Sequence, residues 1–502
     1  CLHVKGRGGK SQASNMTKKA EITMKSVALH NLGCKVNAYE LEAIGQKLQE
    51  KGYQIVPFDN IADIYIVNTC TVTNIADRKS RQMLHRAKKR NPDAVVVAIG
   101  CYVQTGKEEA LLDGSIDLAV GNNRKKELPE ILEEFLRKRK EAEKSDGTAE
   151  DRLLKRKTLN NKSVVNIDRE QEYEEMLSGN EEAKLPGEHT RAYIKIQDGC
   201  NQFCSYCIIP FARGRVRSRR PFDVLREVRQ LAAGGCREVV LTGIHISSYG
   251  MDFIQKTDGD YLESGSDLRQ TAQKRQYLLN LVREIAGVEG IERVRLGSLE
   301  PRIITKEFAE GLAALPQVCP HFHLSLQSGC DATLKRMNRH YTAEEYYEKV
   351  RLLREVFENP AITTDVIVGF PGETEEDFRE TLDVVCKVQY DSAFTFIYSK
   401  RTGTPAAAME DQISDDVVKD RFGRLLEEVQ TISSKMCSRH EGTVQRVLVE
   451  SCNEHDERLM TGRLSNNLLV HFPGDESMIG TFADVSLDEC KGFYYIGKIV
   501  GK

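Results

Sequence analysis

No apolar run in this 502-residue sequence is long enough to cross a membrane, and no secretory leader is visible. A large charge excess is missing too: 72 Lys and Arg stand against 75 Asp and Glu, a net charge of -3. Global electrostatics therefore neither demands nor excludes nucleic acid, and any basic surface must be local. These absences predict a cytoplasmic protein with no membrane partner. In a reducing compartment, the fourteen cysteines argue for metal ligands or reactive thiols over disulfides. The length, with 40% hydrophobic residues, permits two to four domains. Residues 1–23 open CLHVKGRGGKSQASN and have no apolar periodicity. They read as a disordered extension, with Met16 or Met24 as a natural start.

What is present is organised around Arg191–Arg217, where Cys200, Cys204 and Cys207 stand as C-x3-C-x2-C. Three thiolates on one loop leave the fourth iron of a cubane cluster open to an outside ligand. Structural zinc normally takes four ligands, and no fourth Cys or His lies nearby. Ordinary core cysteines do not fall so densely beside Asp198, Asn201 and Gln202.

Upstream, KSVALHNLGC, ADIYIVNTC and DAVVVAIGC each read as a β-branched strand ending in a cysteine. Helical stretches follow at Glu40–Lys51, Asn74–Arg90 and Gln104–Leu112, so residues 24–135 form βα units of an open parallel sheet. Cys34, Cys70 and Cys101 then share the carboxyl rim, where such sheets bind ligands. Any one of them reads as a small residue filling a strand end. Three equivalent positions predict a second three-thiolate site with an open iron.

Residues 136–188 read as a solvated helix and a charged linker, of which Arg152–Lys162 could graze a phosphate backbone. Across 189–437 the βα alternation recurs six times, with strands at Tyr193–Gln197, Glu238–Thr242, Arg293–Gly297, His321–Leu326, Ile362–Val368 and Ser392–Tyr398. Helices such as Phe222–Ala233 and Ala343–Phe357 lie between them. This predicts a partial (β/α)6 barrel whose site collects at the carboxyl ends, where DGC, TGIH, GSLEP, QSGC, GFPGET and SKRTGTP replace apolar residues. Glu300 is placed there to accept both hydroxyls of a ribose. Met251–Gln276 reads as an inserted surface loop. Cys236, Cys319, Cys386, Cys437, Cys452 and Cys490 read as core thiols, and Cys330 lacks a ligand set's spacing. Residues 438–502 change to short strands, a small all-β barrel.

The run GCNQFCSYCIIPFARGRVRSR, with NLGCKVN, NTCTVTNIADRKSRQ and AIGCYVQ upstream, resembles the radical S-adenosylmethionine (SAM) methylthiotransferase family. HNLGCKVNAYE resembles its threonylcarbamoyl-adenosine branch in particular. The resemblance implies two [4Fe-4S] clusters: a SAM-binding one on Cys200, Cys204 and Cys207, which cleaves SAM to a deoxyadenosyl radical, and an auxiliary one on Cys34, Cys70 and Cys101, which presents sulfur. All six cysteines are thereby catalytic. It also implies SAM contacts at Gly243, Ser298, Glu300 and Gly369, with His245 either a packing residue or a contact. The C-terminal module resembles a TRAM domain, whose Arg446, Arg458, Arg463 and Lys491 would meet phosphates while Tyr494 or Tyr495 stacks a base. Arg213–Arg220 is a further candidate for RNA contact. The implied activity is methylthiolation at C2 of threonylcarbamoyl-adenosine in a tRNA anticodon stem-loop, served by a reductant protein and a sulfur source. Isopentenyl-adenosine, a ribosomal protein, or a non-catalytic iron–sulfur RNA-binding sensor remain alternatives.

Overall fold

The computed structural model describes residues 25–106, 113–144, 162–163, 167, 172–176, 190–253 and 276–501. Insertion residues 254–275 and most of the charged linker, including the basic run at 152–161, lie outside them. The first sheet is parallel throughout. It comprises β1 (Ser26–Asn31), β2 (Gln54–Val56), β3 (Ile64–Thr69), β4 (Val95–Gly100), β5 (Leu118–Val120) and β6 (Lys162–Ser163), ordered β2-β1-β3-β4-β5-β6. β3 and β4 are buried at every position, as central strands covered on both faces must be. The helices Lys35–Glu50 and Asn74–Arg90 follow β1 and β3. The helix Leu128–Lys144 runs through position 135. Where it is described, the charged linker is no surface tether: Ile167 and Met176 are buried, and Met176 joins the core of the first sheet.

The central region forms two sheets that curve toward each other. One, ordered β10-β9-β7-β8, contains β7 (Arg191–Asp198), β8 (Arg217–Ser218), β9 (Glu238–Gly243) and β10 (Arg293–Leu296); the other is β11 (His321–His323), β12 (Ala361–Val368) and β13 (Ser392–Ile397). Bridges Val294–Val318 and Leu299–Leu324 join them, so six parallel strands make an open barrel, with only β8 antiparallel. The alternation sorts the faces. Ile194, Ile196, Val239, Leu241, Val294, Leu296, Phe322 and Val366 enter the apolar layer under the helices. Their neighbours Tyr193, Lys195, Arg295, His323 and Asp365 face the lumen. The register pairs Asp365 with Phe394 and Ile367 with Phe396, so these exposed phenylalanines line the open edge of the same lumen.

The C-terminal barrel is closed by five strands, β14 (Val444–Cys452), β15 (Leu459–Arg463), β16 (Leu469–Pro473), β17 (Phe482–Cys490) and β18 (Tyr494–Ile499), in the order β14-β15-β16-β18-β17. It docks on the amino ends of the central strands. Arg293 donates to the carbonyls of Arg463 (2.8 Å) and Arg446 (2.6 Å), and Arg295 to those of Ser465 (2.7 Å) and Leu464 (3.3 Å).

Candidate active site

β1, β3 and β4 are neighbours in the sheet, and the ladder pairs Asn31 with Asn68 and Thr69 with Gly100. Cys34, Cys70 and Cys101 therefore leave adjacent strands at one rim. Gly33 has φ +104, and a Cβ there would stand 2.9 Å from Cys70 Sγ; the loop bearing Cys34 rests on Cys70, and only glycine fits. Burial pushes the Cys70 thiol up to about 11, with Cys101 and Cys34 adding to the rise. Cys34 stands at the N-cap position of the helix Lys35–Glu50. Asn122 Nδ2 donates to Cys101 Sγ (3.5 Å) and to the Ala212 carbonyl (2.6 Å), tying this rim to the second cysteine loop.

That loop begins where β7 ends. Gly199 has φ +71, and a Cβ would fall 1.8 Å from the Arg215 carbonyl oxygen, because the returning chain folds directly over it. The Cys200 amide donates to the Gly214 carbonyl (3.0 Å) and the Cys207 amide to that of Cys204 (2.9 Å). The Gln202 amide reaches Cys200 Sγ at 3.4 Å, and Arg339 Nη1 reaches Cys204 Sγ at 3.5 Å. Burial, then Cys204, drives the Cys207 thiol far up. Among the described residues no three His, Cys, Asp or Glu side chains close on a single metal-ion position. A cubane places its thiolates on different irons, so it asks for spaced neighbours and N–H donors to sulfur, and both loops supply these. Thiols raised this far by burial lose their protons when they bind metal.

A buried ionic network joins the loops. Glu40, six residues after Cys34, accepts from Lys125 (2.6 Å), Lys195 (2.7 Å) and Arg213 (2.9 and 3.1 Å). Arg213 also holds both oxygens of Asp198 at 3.1 Å and the Asn37 side-chain oxygen at 2.6 Å. Burial alone would raise both carboxyls, but the surrounding cations win and hold Glu40 and Asp198 below the usual carboxylate range. A second knot lies alongside: Arg219 binds Glu227 and Glu175, and Tyr39 donates to Glu227 (3.1 Å).

These contacts correct the expectation that Arg213–Arg220 meets RNA for three of its five arginines, while Arg215 and Arg220 stay exposed. Arg213, Arg217 and Arg219 are each at most 2% exposed, their charge spent on carboxylates inside the domain joint. In the C-terminal barrel, Tyr495 is buried with its hydroxyl on the Cys437 carbonyl (2.7 Å), so it cannot stack a base. Arg463 is paired with Glu450 (2.6 and 2.8 Å) and Arg446 with Glu292. Arg458 remains exposed beside Asp456, Lys491 pairs with Glu489, and Tyr494 packs on His471. Cys386 is exposed, unlike the expected core thiol, whereas Cys452 and Cys490 are partly exposed and pack against the core of the C-terminal barrel. Cys236, Cys319, Cys330 and Cys437 are buried.

The expected SAM contacts spread over the carboxyl rim. Gly243 packs on Gln197, whose side-chain oxygen accepts the His245 amide (2.8 Å). Glu300 is buried and binds Arg302 (2.5 Å), which reaches Gln202 (3.3 Å). Glu300, Arg302, Gln202 and His245 line one cavity beside the cysteine loop. Ser298 is exposed. Gly369, with φ +76, leaves 2.7 Å between an added Cβ and Val418, which makes it a packing position against the helix Asp415–Ser438.

The lumen residues were not singled out from the sequence, although the alternation of Arg191, Tyr193, Lys195 and Gln197 along β7 marks a polar inner face. His323 contacts Thr363 (3.0 Å) and Asp365 (3.1 Å). Lys35 lies over the Tyr193 ring at 5.8 Å. Its ammonium is pushed down to about 8, first by desolvation and then by Arg191, Arg295 and Arg463.

An open six-stranded barrel with a three-cysteine loop at its carboxyl rim, joined to a parallel sheet with its own three-cysteine rim, defines a radical SAM enzyme with an appended thiol-bearing domain. Residues 194–385 match the radical SAM superfamily, 26–121 the Uncharacterized protein family UPF0004, and 438–500 the TRAM domain. The threonylcarbamoyladenosine tRNA methylthiotransferase MtaB of Bacillus subtilis is 37% identical over 95% of this chain and 97% of its own length. The tRNA-2-methylthio-N(6)-dimethylallyladenosine synthase of Lachnoclostridium phytofermentans is 38% identical over 94% and 95%. The chain belongs to the radical SAM tRNA methylthiotransferase family, enzymes that transfer a sulfur-containing group and use SAM with a [4Fe-4S] cluster. A radical SAM methyltransferase from Kitasatospora setae, TsrM, superposes with a TM-score of 0.46 at 19% identity, over 74% of this chain and 72% of that one. Among the described residues no helix is long and apolar enough to cross a membrane.

Proposed function

We propose that this protein inserts a methylthio group at C2 of threonylcarbamoyl-adenosine beside the anticodon of a cytoplasmic tRNA. The observation that carries the reading is the joint between the loops: Arg213 spans Asn37, Glu40 and Asp198, fixing one cysteine rim against the other. Cys200, Cys204 and Cys207 would hold the SAM-binding cluster, and Cys34, Cys70 and Cys101 an auxiliary [4Fe-4S] cluster. When bound, these groups and SAM supply the one-electron and radical chemistry that an aromatic C–H with no acidity or leaving group requires.

The chain's own residues arrange the reactants. Glu300, Arg302 and His245 bound the cavity for the nucleoside end of SAM, and Arg339 and the Gln202 amide donate to the loop sulfurs, tuning them. The target base enters the lumen past Phe394 and Phe396, whose exposed rings offer stacking faces. An anticodon loop presents this base already single-stranded, so extrusion costs less than from a duplex. The domains are assigned as 24–135 for the auxiliary-cluster domain, 189–437 for the barrel and 438–502 for the TRAM domain, the last approaching RNA through its outward face.

The threonylcarbamoyl branch is supported by the Bacillus subtilis relative and by the polar, cationic lumen. The Lachnoclostridium relative favours a second reading, dimethylallyl-adenosine. Mass spectrometry of tRNA nucleosides from cells lacking the gene, with and without its restoration, tests both. Loss of the methylthio-threonylcarbamoyl nucleoside with accumulation of its precursor is expected; loss of the dimethylallyl product instead would move the protein to the second branch.

A further inference from the structure

Lys35 is the first residue of the helix that follows Cys34, and its ammonium lies over Tyr193 in the lumen. It is exposed to that space, and no carboxylate among the described residues stands within ion-pair distance of it. The lysines of the adjoining network differ, since Lys125 and Lys195 are each held by Glu40. Lys35 instead sits among guanidinium groups whose acids are already taken. Arg191 and Arg295 share Glu238 at 2.9 and 2.8 Å, and Arg463 occupies Glu450. With Arg293 also 3.7 Å from Glu238, five cations among the described residues share two carboxylates at the floor of the lumen. Such a floor favours an anion, and the Lys35 ammonium, with no carboxylate of its own among the described residues, is the group placed to meet one.

We propose that Lys35 is the counter-ion for a carboxylate on the N6 substituent of the target adenosine and so selects an acidic substituent over an apolar one. The inference rests on the tRNA methylthiotransferase reading and makes it more specific. C2 and N6 flank N1 on one edge of adenine, so a base presenting C2 to the rim of Cys34 also turns its N6 substituent toward that rim. Lys35, next in the chain to Cys34, stands on that side. An apolar dimethylallyl group would leave the ammonium unpaired and partly desolvated, which disfavours it. An RNA phosphate offers the same anionic chemistry, and the test separates it from the carboxylate.

The experiment is equilibrium binding of three anticodon stem-loops to the full-length, iron-loaded protein by fluorescence anisotropy. The loops differ only in carrying adenosine, dimethylallyl-adenosine or threonylcarbamoyl-adenosine at the target position. Wild type should bind the threonylcarbamoyl loop about tenfold tighter than the adenosine loop, the effect of one charge-assisted contact. Lys35→Gln should erase that preference while affinity for the adenosine loop stays within about twofold, and Lys35→Arg should keep it. Equal weakening of all three loops by Lys35→Gln would identify a phosphate contact and overturn the proposal, as would an unchanged preference. Iron content controls for folding beside Cys34: if Lys35→Gln loses iron, Lys35→Met and Lys35→Arg decide, and an iron-loaded variant without the charge that keeps the preference overturns the proposal, as does Lys35→Arg losing it with its iron intact. A wild type that prefers the dimethylallyl loop would sink the substrate reading itself, whereas a retained threonylcarbamoyl preference in Lys35→Gln sinks the assignment of Lys35 alone.

Discussion

Neutralising Glu40 should destabilise the protein more than removing Arg213, although both belong to one network. Glu40 is 2% exposed and faces Lys125, Lys195 and Arg213, exposed by 0%, 1% and 1%. At these contact distances each pair attracts by about 5–6 kcal/mol at an effective dielectric of 20. Desolvation of both partners offsets most of that, so truncation costs about 3–5 kcal/mol when it strands a buried charge. Glu40→Gln leaves those three cations and Arg217, which is 3.8 Å from Asp198, with only Asp198 and Glu174 to face among the described residues, and the cost belongs at or above the top of that range. Arg213→Met leaves Glu40 with its two lysines, and Asp198 with Lys195 at 2.7 Å and Arg217 at 3.8 Å, two fewer unmatched cations than Glu40→Gln leaves, which places the cost near about 3 kcal/mol. The double variant should cost about 2 kcal/mol less than the sum of the singles, because one contact is removed twice. Urea unfolding of the full chain without iron, followed by circular dichroism, measures all three. Arg213→Met costing as much as Glu40→Gln, or strict additivity in the double variant, would refute the charge accounting.

Gly199→Ala should prevent the cysteine loop from closing, since its Cβ overlaps the Arg215 carbonyl; iron bound per chain after reconstitution should fall by about half. Replacing Cys34, Cys70 and Cys101 together by Ala should likewise halve the iron, yet leave SAM cleavage to deoxyadenosine intact; loss of that cleavage would mean that the two rims do not act separately. His321 is buried, and desolvation, reinforced by Arg295, His323, Lys35 and Arg191, depresses its pKa well below 6.5. The unfolded chain therefore binds the extra proton below pH 6.5, and stability contributed by the neutral ring is lost as pH falls. Relative to His321→Gln, the wild type should lose about 1.4 kcal/mol per pH unit below 6.5 in urea unfolding. Arg295→Met removes two bonds to the C-terminal barrel and should speed proteolysis between residues 438 and 444; an unchanged cleavage rate would show that the barrel is held elsewhere.

Local chemistry made much of this protein legible. A β-branched run before each cysteine predicts a strand, and all six central strands lie where the alternation of their residues places them. β2, β5 and β6, of two or three residues each, carry too little pattern to be read. Their pairing is decided by the neighbours that bury them. The linear sequence also shows how many charges the stretch RGRVRSRR holds, but not that Glu40 and Glu175 arrive from distant segments, beside the nearer Asp198 and Glu227, to bury three of its arginines. An isolated basic run looks like a phosphate contact, because solvation is the default until a carboxylate is folded against it. Tyr495 is similar, since its alternation permits either face and only closure of the barrel puts it inside. The sequence by itself determined the two sets of three cysteines and the strands that end in them, because strand propensity and ligand spacing are local. Tertiary structure alone decided that the two rims meet through a buried polar network centred on Arg213 and that Lys35 has no acid within ion-pair distance among the described residues, because ion pairing depends on which charges share a space.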